Sequence, residues 1–212
     1  MLKELNMSIS EIRSYVQEPG PDKFMKLADE KINEINREIQ RLEKIKEVLK
    51  IRKEQLEVCS RVDDMLIELK QLPEECFRVI PFDIKEENLK DLFSCAKECW
   101  GIEQCRMGIG SYISVDKVRE KKFEKYEGVF SPALKAEEGG EILIRKRGLC
   151  LCGYQRGIWD RLPELYEKML AFAEKENLVL KGFAFESGMN DFAIADDNDY
   201  VTRVVIPVEE SF

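Results

Sequence analysis

A long run of heptads between residues 22 and 57 constrains this chain more than any other feature. Counted in sevens from Met25, eight of ten a and d positions are apolar, the exceptions being Lys46 and Lys53. The apolar positions are Met25, Ala28, Ile32, Ile35, Ile39, Leu42, Leu49 and Leu56. This spacing keeps one apolar stripe facing a partner helix, while mostly charged and amide residues occupy the other faces.

A helix of about 36 residues would be roughly 54 Å long at ~1.5 Å per residue. We predict a coiled coil that joins two copies of the chain. A helix packed on its own domain and one arm of an intramolecular hairpin are the alternatives. Because both lysines fall in the C-terminal half of the stripe, we expect the tightest contact between subunits from Ile32 to Leu42.

Composition excludes several classes of function. The net charge of −8 argues against non-specific nucleic-acid binding by the whole chain. The chain has no run of 18 apolar residues, and its first residues lack the apolar segment of a signal peptide, so we expect a cytoplasmic protein without a membrane span. The absence of histidine excludes Ser-His and Cys-His catalysis and histidine-ligated zinc.

The seven cysteines predict reduced thiols in or near the core rather than disulfides. Cys95 and Cys99 are four residues apart on a predicted helix, and Cys150 and Cys152 share one face of a predicted strand. The spacing of Cys95 and Cys99 could instead hold a soft metal or form a sensor pair, which is the alternative. Because the chain has neither histidine nor a C-x-x-C pair, we predict no metal and no cofactor.

The first 21 residues read as a short helical hairpin. Ser8 and Glu11 form an S-x-x-E capping box, and a Pro-Gly-Pro sequence at 19–21 ends the helix and turns the chain. Twenty residues cannot form a core of their own. We therefore interpret this stretch as part of a larger domain.

The region after the long helix predicts an α+β domain from residue 75 to residue 212. We expect residues 57–72 to continue the helix with a rotated face, with a hinge at 70–73. The order strand, helix, strand, strand then occurs twice, which indicates a duplicated βαββ unit and an antiparallel sheet with helices on one side. The predicted strands are 76–82, 107–115, 126–133, 141–154 (broken near Arg147 and Gly148), 179–186 and 200–208, and the predicted helices are 86–100 and 162–176.

Two resemblances cover nearly the whole chain. The opening residues and the following heptad helix are similar to the MerR family of bacterial transcription regulators, and the match is carried by Leu2, Leu5, Ser8, Ile9, Glu11 and Ile12. The second βαββ half resembles the GyrI-like effector-binding domain of the multidrug-regulator type, through Gly157, Trp159, Leu162, Tyr166, Gly182, Glu186 and the run from Tyr200 to Val208.

The resemblance implies three segments. Residues 1–21 would be the remnant of the DNA-binding head, residues 22–72 the dimerisation coiled-coil helix with its linker, and residues 75–212 the GyrI-like domain. The helix-turn-helix and wing of the family lie upstream of the first segment. We therefore expect promoter DNA and RNA polymerase as partners only if that N-terminal head is present.

Glu186 is the first candidate for ligand binding. In its strand it alternates to the same side as Gly182 and Ala184, opposite Phe183 and Phe185, which we expect to pack under the helix. The family resemblance implies that this carboxylate meets a cationic aromatic effector. A surface position, or an ion pair with a neighbouring arginine, is the alternative.

Aromatic residues that can stack on such an effector complete the predicted site. They are Tyr112, Tyr154, Trp159, Tyr166 and Trp100, each with core packing as the alternative. We predict a homodimer joined through the 22–57 helix, which binds a small aromatic or cationic effector between the two βαββ halves and is not an enzyme. The alternative function is a GyrI-like hydrolase that uses Glu186 on a strained electrophilic small molecule.

Overall fold

The computed structural model describes residues 7–82, 89–133 and 141–209, without the side chains of residues 89, 90, 93 and 101–103. Leu2 and Leu5 therefore lie outside the described residues. The chain forms two compact units, residues 1–50 and 51–212. In the described ranges no helix is both long and apolar enough to span a bilayer.

The first unit consists of α1 (Ile9–Gln17) and most of α2 (Pro21–Cys59). The capping box is present: Ser8 Oγ accepts from the Glu11 backbone N–H at 3.3 Å, and the Ser8 N–H donates to Glu11 Oε2 at 2.6 Å. Lys31 Nζ lies 2.7 Å from Glu11 Oε1 and so ties α2 to α1. This ion pair holds the pKa of Glu11 down at about 2.

The heptad stripe of α2 is exposed in the single chain. Ile32 is 54% exposed, Ile39 48% and Leu42 52%, and Met25, Ile35, Leu49 and Leu56 are also exposed. At 39 residues, α2 is about 58 Å long. The helix predicted from the heptads is therefore present, and its apolar stripe is uncovered in the monomer.

The second unit is built on one antiparallel sheet of eight strands. The strands are β1 (Ile67–Leu72), β2 (Glu75–Pro81), β3 (Gly110–Ser114), β4 (Gly128–Pro132), β5 (Glu141–Arg145), β6 (Gly148–Arg156), β7 (Phe183–Gly188) and β8 (Val201–Pro207). The helices are α3 (Leu89–Cys105), α4 (Val115–Arg119) and α5 (Leu162–Lys175). The predicted α+β class is confirmed.

The strand order, β1-β6-β8-β7-β3-β4-β2-β5, reveals the duplication. Strands β6, β8 and β7 of the second half correspond to β2, β4 and β3 of the first half. The two triplets run across the sheet in opposite orders, so that β7 and β3 are neighbours at its centre. A pseudo-twofold axis therefore passes between β3 and β7. Across this junction Ser111 and Glu186 are directly opposite each other.

Both long helices of this unit cover the same face of the sheet. On α5, Leu165, Tyr166 and Met169 are fully buried against Leu151, Ile113 and other strand residues. On α3, Gln104 Nε2 donates to Ser131 Oγ at 2.9 Å, and Ser131 projects from the face of β4 opposite Phe130. Ser111 on β3 and Glu186 on β7 have the strand parity of Ile113 and Ala184 and so project from this helix-covered face.

The other face carries two further apolar clusters. One contains Phe77, Val79, Tyr112, Phe130 and Phe185, and the other joins Cys59 and Val62 to β6 and β8 residues. Phe183 and Phe185 therefore point away from Glu186, as predicted. The helices, however, cover the face that carries Glu186, and the prediction that these phenylalanines pack under a helix is wrong.

Residues 60–72 do not continue the helix. α2 ends at Cys59, where Ser60 Oγ donates to the Glu57 carbonyl at 2.8 Å, and Met65 adopts a left-handed conformation with φ of 56°. The predicted hinge at 70–73 falls mostly in β1, which pairs with β6 at the sheet edge. Apolar residues at 62, 65, 66 and 69 fit a helical period, but residues 67–72 form a strand because they pair with β6.

All seven cysteines are free thiols. Cys59, Cys150 and Cys152 are buried, in agreement with the predicted core positions, and burial raises the pKa of Cys152 to about 11. The Sγ atoms of Cys95 and Cys99 lie 3.9 Å apart on α3. No group of three or more potential metal ligands occurs among the described residues.

Candidate functional site

A cavity of about 180 Å³ lies on the helix-covered face, where the two βαββ halves meet. Its wall draws on both halves: α3, strands β3 and β4 with the residues just before them, strands β7 and β8, and the start of α5 with the turn that precedes it. The lining residues are Leu92, Ile109, Gly110, Ser111, Tyr126, Val129, Trp159, Leu162, Glu186, Ser187, Gly188, Tyr200 and Thr202. Most of this wall is apolar, and of these lining residues Glu186 alone carries a carboxylate.

Three hydroxyl groups surround the Glu186 carboxylate. The Tyr166 hydroxyl donates to Oε1 at 2.6 Å, and Ser111 Oγ donates to Oε2 at 2.8 Å. The Tyr126 hydroxyl is also within hydrogen-bonding reach. Phe123 stacks on the Tyr166 ring, with centroids 5.2 Å apart, and so fixes the donor in place.

The carboxylate is buried, and no described residue serves as its counter-ion. Glu186 is only 4% exposed, and in the described ranges no Lys or Arg forms an ion pair with it. Burial raises its pKa above the usual range, and the three hydroxyl donors offset part of this effect. Burial next to this carboxylate also raises the pKa values of Tyr126 and Tyr166, which therefore remain neutral donors.

Trp159 and Tyr200 form the outer rim of the cavity. Trp159 is 61% exposed, and Tyr200 is half-buried. Their ring centroids lie 6.1 Å apart in an edge-to-face arrangement. A Cβ on Gly188 would clash with the Tyr200 hydroxyl, so glycine permits this close approach.

The structure brings together three of the six residues predicted for the site. Glu186 and Trp159 line the cavity, and Tyr166 lies behind the wall, where its hydroxyl reaches Glu186. Trp100, on α3, is half-buried and is not part of the lining. The roles of all these residues in ligand binding stay predictions.

Tyr112 and Tyr154 lie on the other face of the sheet. Tyr112 packs with Phe77, Phe130 and Phe185, and the Tyr154 hydroxyl accepts from Lys70 Nζ at 3.2 Å. The expectation that Tyr112 points to the Glu186 side is wrong, because the helices and the cavity share one face. Ile113 is fully buried under the helices and therefore marks the same side as the cavity.

Sequence reasoning missed Ser111, Tyr126, Tyr200 and Thr202. Ser111 could have been predicted, because it is two residues from Ile113 on the same strand and therefore projects from the same face. Tyr126 lies in the segment before β4, and Tyr200 directly precedes β8. Both residues begin predicted strands, 126–133 and 200–208, but they precede the observed β4 and β8, so strand alternation does not predict where their side chains lie.

No known family profile matches the sequence, but individual proteins and solved structures do. A multidrug-efflux transporter 2 regulator of Bacillus subtilis (strain 168) is 24% identical over 219 residues, covering 99% of this chain and 78% of that protein. The resemblance to MerR-type multidrug regulators is confirmed.

Two solved structures of a MerR-type regulator have the same fold. A chain of EcmrR, in a cryo-EM structure of its DNA complex, matches 99% of this chain and 80% of its own length, with 18% identity and a TM-score of 0.54. The crystal structure of the EcmrR C-terminal domain matches 69% of this chain and 99% of its own length, with 15% identity and a TM-score of 0.52. The GyrI-like fold predicted for the second unit is confirmed.

We predict that replacing Glu186 with glutamine stabilises the fold. Glutamine retains the shape and can pair with the same hydroxyls, but it carries no buried charge. Because the folded-state pKa of Glu186 is raised, the folded protein binds the proton more tightly, and wild-type stability falls as pH rises from about 4.5 through that pKa. The advantage of the variant should grow over this window and then stay constant.

Thermal unfolding at pH 4 and pH 7.5 measures this difference. We expect a Tm increase of several degrees at pH 7.5, since ~1 kcal/mol corresponds to about 2–4 °C in a chain of this size. The increase at pH 4 should be smaller. A variant that is less stable than wild type at pH 7.5 would show that, in the free protein, the hydrogen bonds to the carboxylate fully offset the cost of burying its charge.

Proposed function

We propose that the second unit binds a small organic cation with Glu186 as its counter-ion, and that the chain is the ligand-sensing and dimerising part of a MerR-type transcription regulator. One observation carries this proposal: a buried carboxylate without an ion-pair partner among the described residues forms part of the wall of an otherwise apolar cavity. A charge in such surroundings is unfavourable until an opposite charge joins it.

The surrounding groups favour an aromatic cation. Tyr126, Trp159 and Tyr200 line the cavity, and cation–π contacts with such rings contribute about 0.5–2 kcal/mol each, depending on desolvation. The apolar contact area comes from Leu92, Ile109, Val129 and Leu162. A cation with a compact aromatic body would satisfy both the carboxylate and this wall.

The relatives support the regulatory part of the proposal. The Bacillus subtilis relative is named as a regulator of a multidrug-efflux transporter, and EcmrR is seen in complex with DNA. We propose contact with promoter DNA and RNA polymerase only for a protein that carries the family's helix-turn-helix head before these residues. The dimer would form through the exposed stripe of α2.

A matched pair of ligands tests the cation requirement. 2-Phenylethylamine is a cation at neutral pH, whereas 2-phenylethanol has nearly the same size and no charge. Calorimetric titration should show at least about tenfold tighter binding of the amine, which corresponds to ~1.4 kcal/mol. Equal affinities, or tighter binding of the alcohol, would contradict the proposal.

A hydrolase is the second candidate, and the raised pKa of Glu186 is the observation that favours it. A buried carboxyl group beside a cavity has the properties of a general acid or base. Incubation with styrene oxide, a strained electrophile of similar size, would yield the diol if the site adds water. Turnover that is lost in the Glu186→Gln variant would support the enzyme and contradict a purely sensory role.

A further inference from the structure

Cys95 and Cys99 on α3 form a thiol pair that the proposed cation site does not use. They are four residues apart, so one turn of the helix places them on the same side. Their Sγ atoms lie 3.9 Å apart, within the range of a thiol–thiol hydrogen bond. Cys99 is exposed and Cys95 is partly exposed, so a small molecule in solution has access to the pair.

The other cysteines are less suited to bind a ligand together. Cys59, Cys150 and Cys152 are buried in the apolar cluster between the end of α2 and the sheet. Cys76 lies on β2, and Cys105 ends α3 six residues after the pair, on a different side of the helix. Cys95 and Cys99 are therefore the accessible thiols that are also neighbours.

The geometry of the pair suits one soft centre that bridges two sulfur atoms. Two sulfurs bound to one tetrahedral ion, with bonds of ~2.3 Å, are separated by ~3.8 Å. The observed 3.9 Å is close to this value, so one centre can bridge the pair with little movement of the side chains. Sulfur is also the donor that soft centres prefer.

The number of ligands selects among the soft centres. A metal ion in a protein site usually has three or four protein ligands, and no group of three potential ligands occurs in the part of the chain that the structure describes. A trivalent arsenic atom with one organic substituent has only two positions left to fill. Two thiols therefore complete its coordination without any further protein ligand.

Oxidation to a disulfide is the other chemistry open to two neighbouring thiols. It would require the sulfurs to approach from 3.9 Å to about 2.05 Å on one rigid helix. Burial, and after it the hydrogen bond with Cys99, raises the pKa of the Cys95 thiol, whereas oxidant-sensing cysteines are thiolates with a low pKa. The pair is therefore poorly suited to sense oxidants.

We propose that Cys95 and Cys99 form a binding site for monosubstituted trivalent arsenicals, separate from the cation site. Each Sγ forms one bond to arsenic, the two As–OH bonds of the hydrated arsenical break, and the two thiol protons leave with these hydroxyls as two water molecules. Neither arsenic nor sulfur changes its oxidation state. Leu92, three residues before Cys95 on the same helix, lines the cavity, so the bound group would lie close to the cavity wall.

Phenylarsine oxide, titrated into the full chain and followed by native mass spectrometry, tests this proposal. An excess of 2-mercaptoethanol removes the arsenical from single thiols but not from a chelating pair. We expect one phenylarsenic group per chain, added with the loss of two hydrogen atoms, and its release by the dithiol 2,3-dimercaptopropanol. A wild-type chain that retains no arsenical in 2-mercaptoethanol would overturn the inference.

Three variants show which thiols hold the arsenical. Cys99→Ser should bind it at least about 100-fold more weakly, because the second bond is no longer intramolecular. Adding Lys97→Cys to this variant restores the number of thiols but places the new one two residues from Cys95, where it does not face it, so binding should stay weak. Cys105→Ser should bind as wild type does.

The exposure of these positions makes the variants interpretable. Lys97 and Cys99 are both exposed, so their substitution should leave the circular dichroism spectrum unchanged. Wild-type affinity in Cys99→Ser, or in the variant that combines it with Lys97→Cys, would place the arsenical elsewhere and overturn the inference. The Glu186 site has its own test with 2-phenylethylamine, so the two proposals can fail separately.

Discussion

Replacing Glu186 with glutamine should weaken the binding of 2-phenylethylamine about 30-fold or more. Removing one member of a desolvated charge pair typically costs at least ~2 kcal/mol, because the other charge remains buried without a partner. The variant keeps the size of the side chain and can still pair with Tyr166 and Ser111. The loss of affinity would therefore be due to the missing charge. Calorimetric titration at pH 7.5 measures the affinity of both proteins.

Glu174→Gln is the matched control for this experiment. Glu174 is an exposed residue of α5 outside the cavity lining, and its substitution changes the net charge by the same amount. This control should bind 2-phenylethylamine as wild type does. A similar loss in both variants would show a long-range effect of charge, and no loss in Glu186→Gln would remove the carboxylate from the site.

Placing glutamate at both Ile35 and Ile39 should convert the proposed dimer into a monomer. Both side chains lie on the exposed apolar stripe of α2, within the stretch where we expect the tightest contact. In a two-chain coil the substitutions would place four carboxylates in one apolar seam, and burial of unpaired charge is costly. Light scattering coupled to size-exclusion chromatography measures the mass directly.

Asn33→Glu with Gln40→Glu is the control with the same added charge. These two positions lie outside the a and d stripe on the same helix. The control should remain a dimer, and both double variants should retain their helical content by circular dichroism. A monomeric wild-type chain, or an Ile35→Glu, Ile39→Glu double variant that stays dimeric, would contradict the role of the stripe.

Hydrophobic periodicity correctly predicted the helices whose apolar pattern is long and unbroken. The 39-residue α2 and the 14-residue α5 have sustained apolar repeats, and both are present within a few residues of the predicted bounds. β1 was missed because a six-residue edge strand has few apolar residues, and its side chains also fit a helical period. The five-residue α4, directly after β3, was not predicted: it begins at the last residue of the predicted strand 107–115 and lies in the gap before the predicted strand 126–133.

The site could be predicted only in part from the sequence. Strand alternation sorts side chains onto the two faces of the sheet, but it does not say which face the helices cover. Glu186 and Trp159 were found through the family resemblance, which fixes positions along the chain. Tyr112 was assigned to the wrong side, since the helix-covered face and the cavity face were taken to be opposite. Tyr126 comes close to Glu186 only through the pairing of β3 with β7, and such long-range contacts leave no local signal.

A crystal structure of the chain with bound 2-phenylethylamine tests the central claim most directly. We predict the ammonium nitrogen within about 3–4 Å of a Glu186 carboxylate oxygen, inside the cavity, with the ring between Trp159 and the apolar wall. An amine bound on the opposite face of the sheet, or at the surface with the Glu186 carboxylate still contacted only by Tyr166, Ser111 and Tyr126, would contradict it.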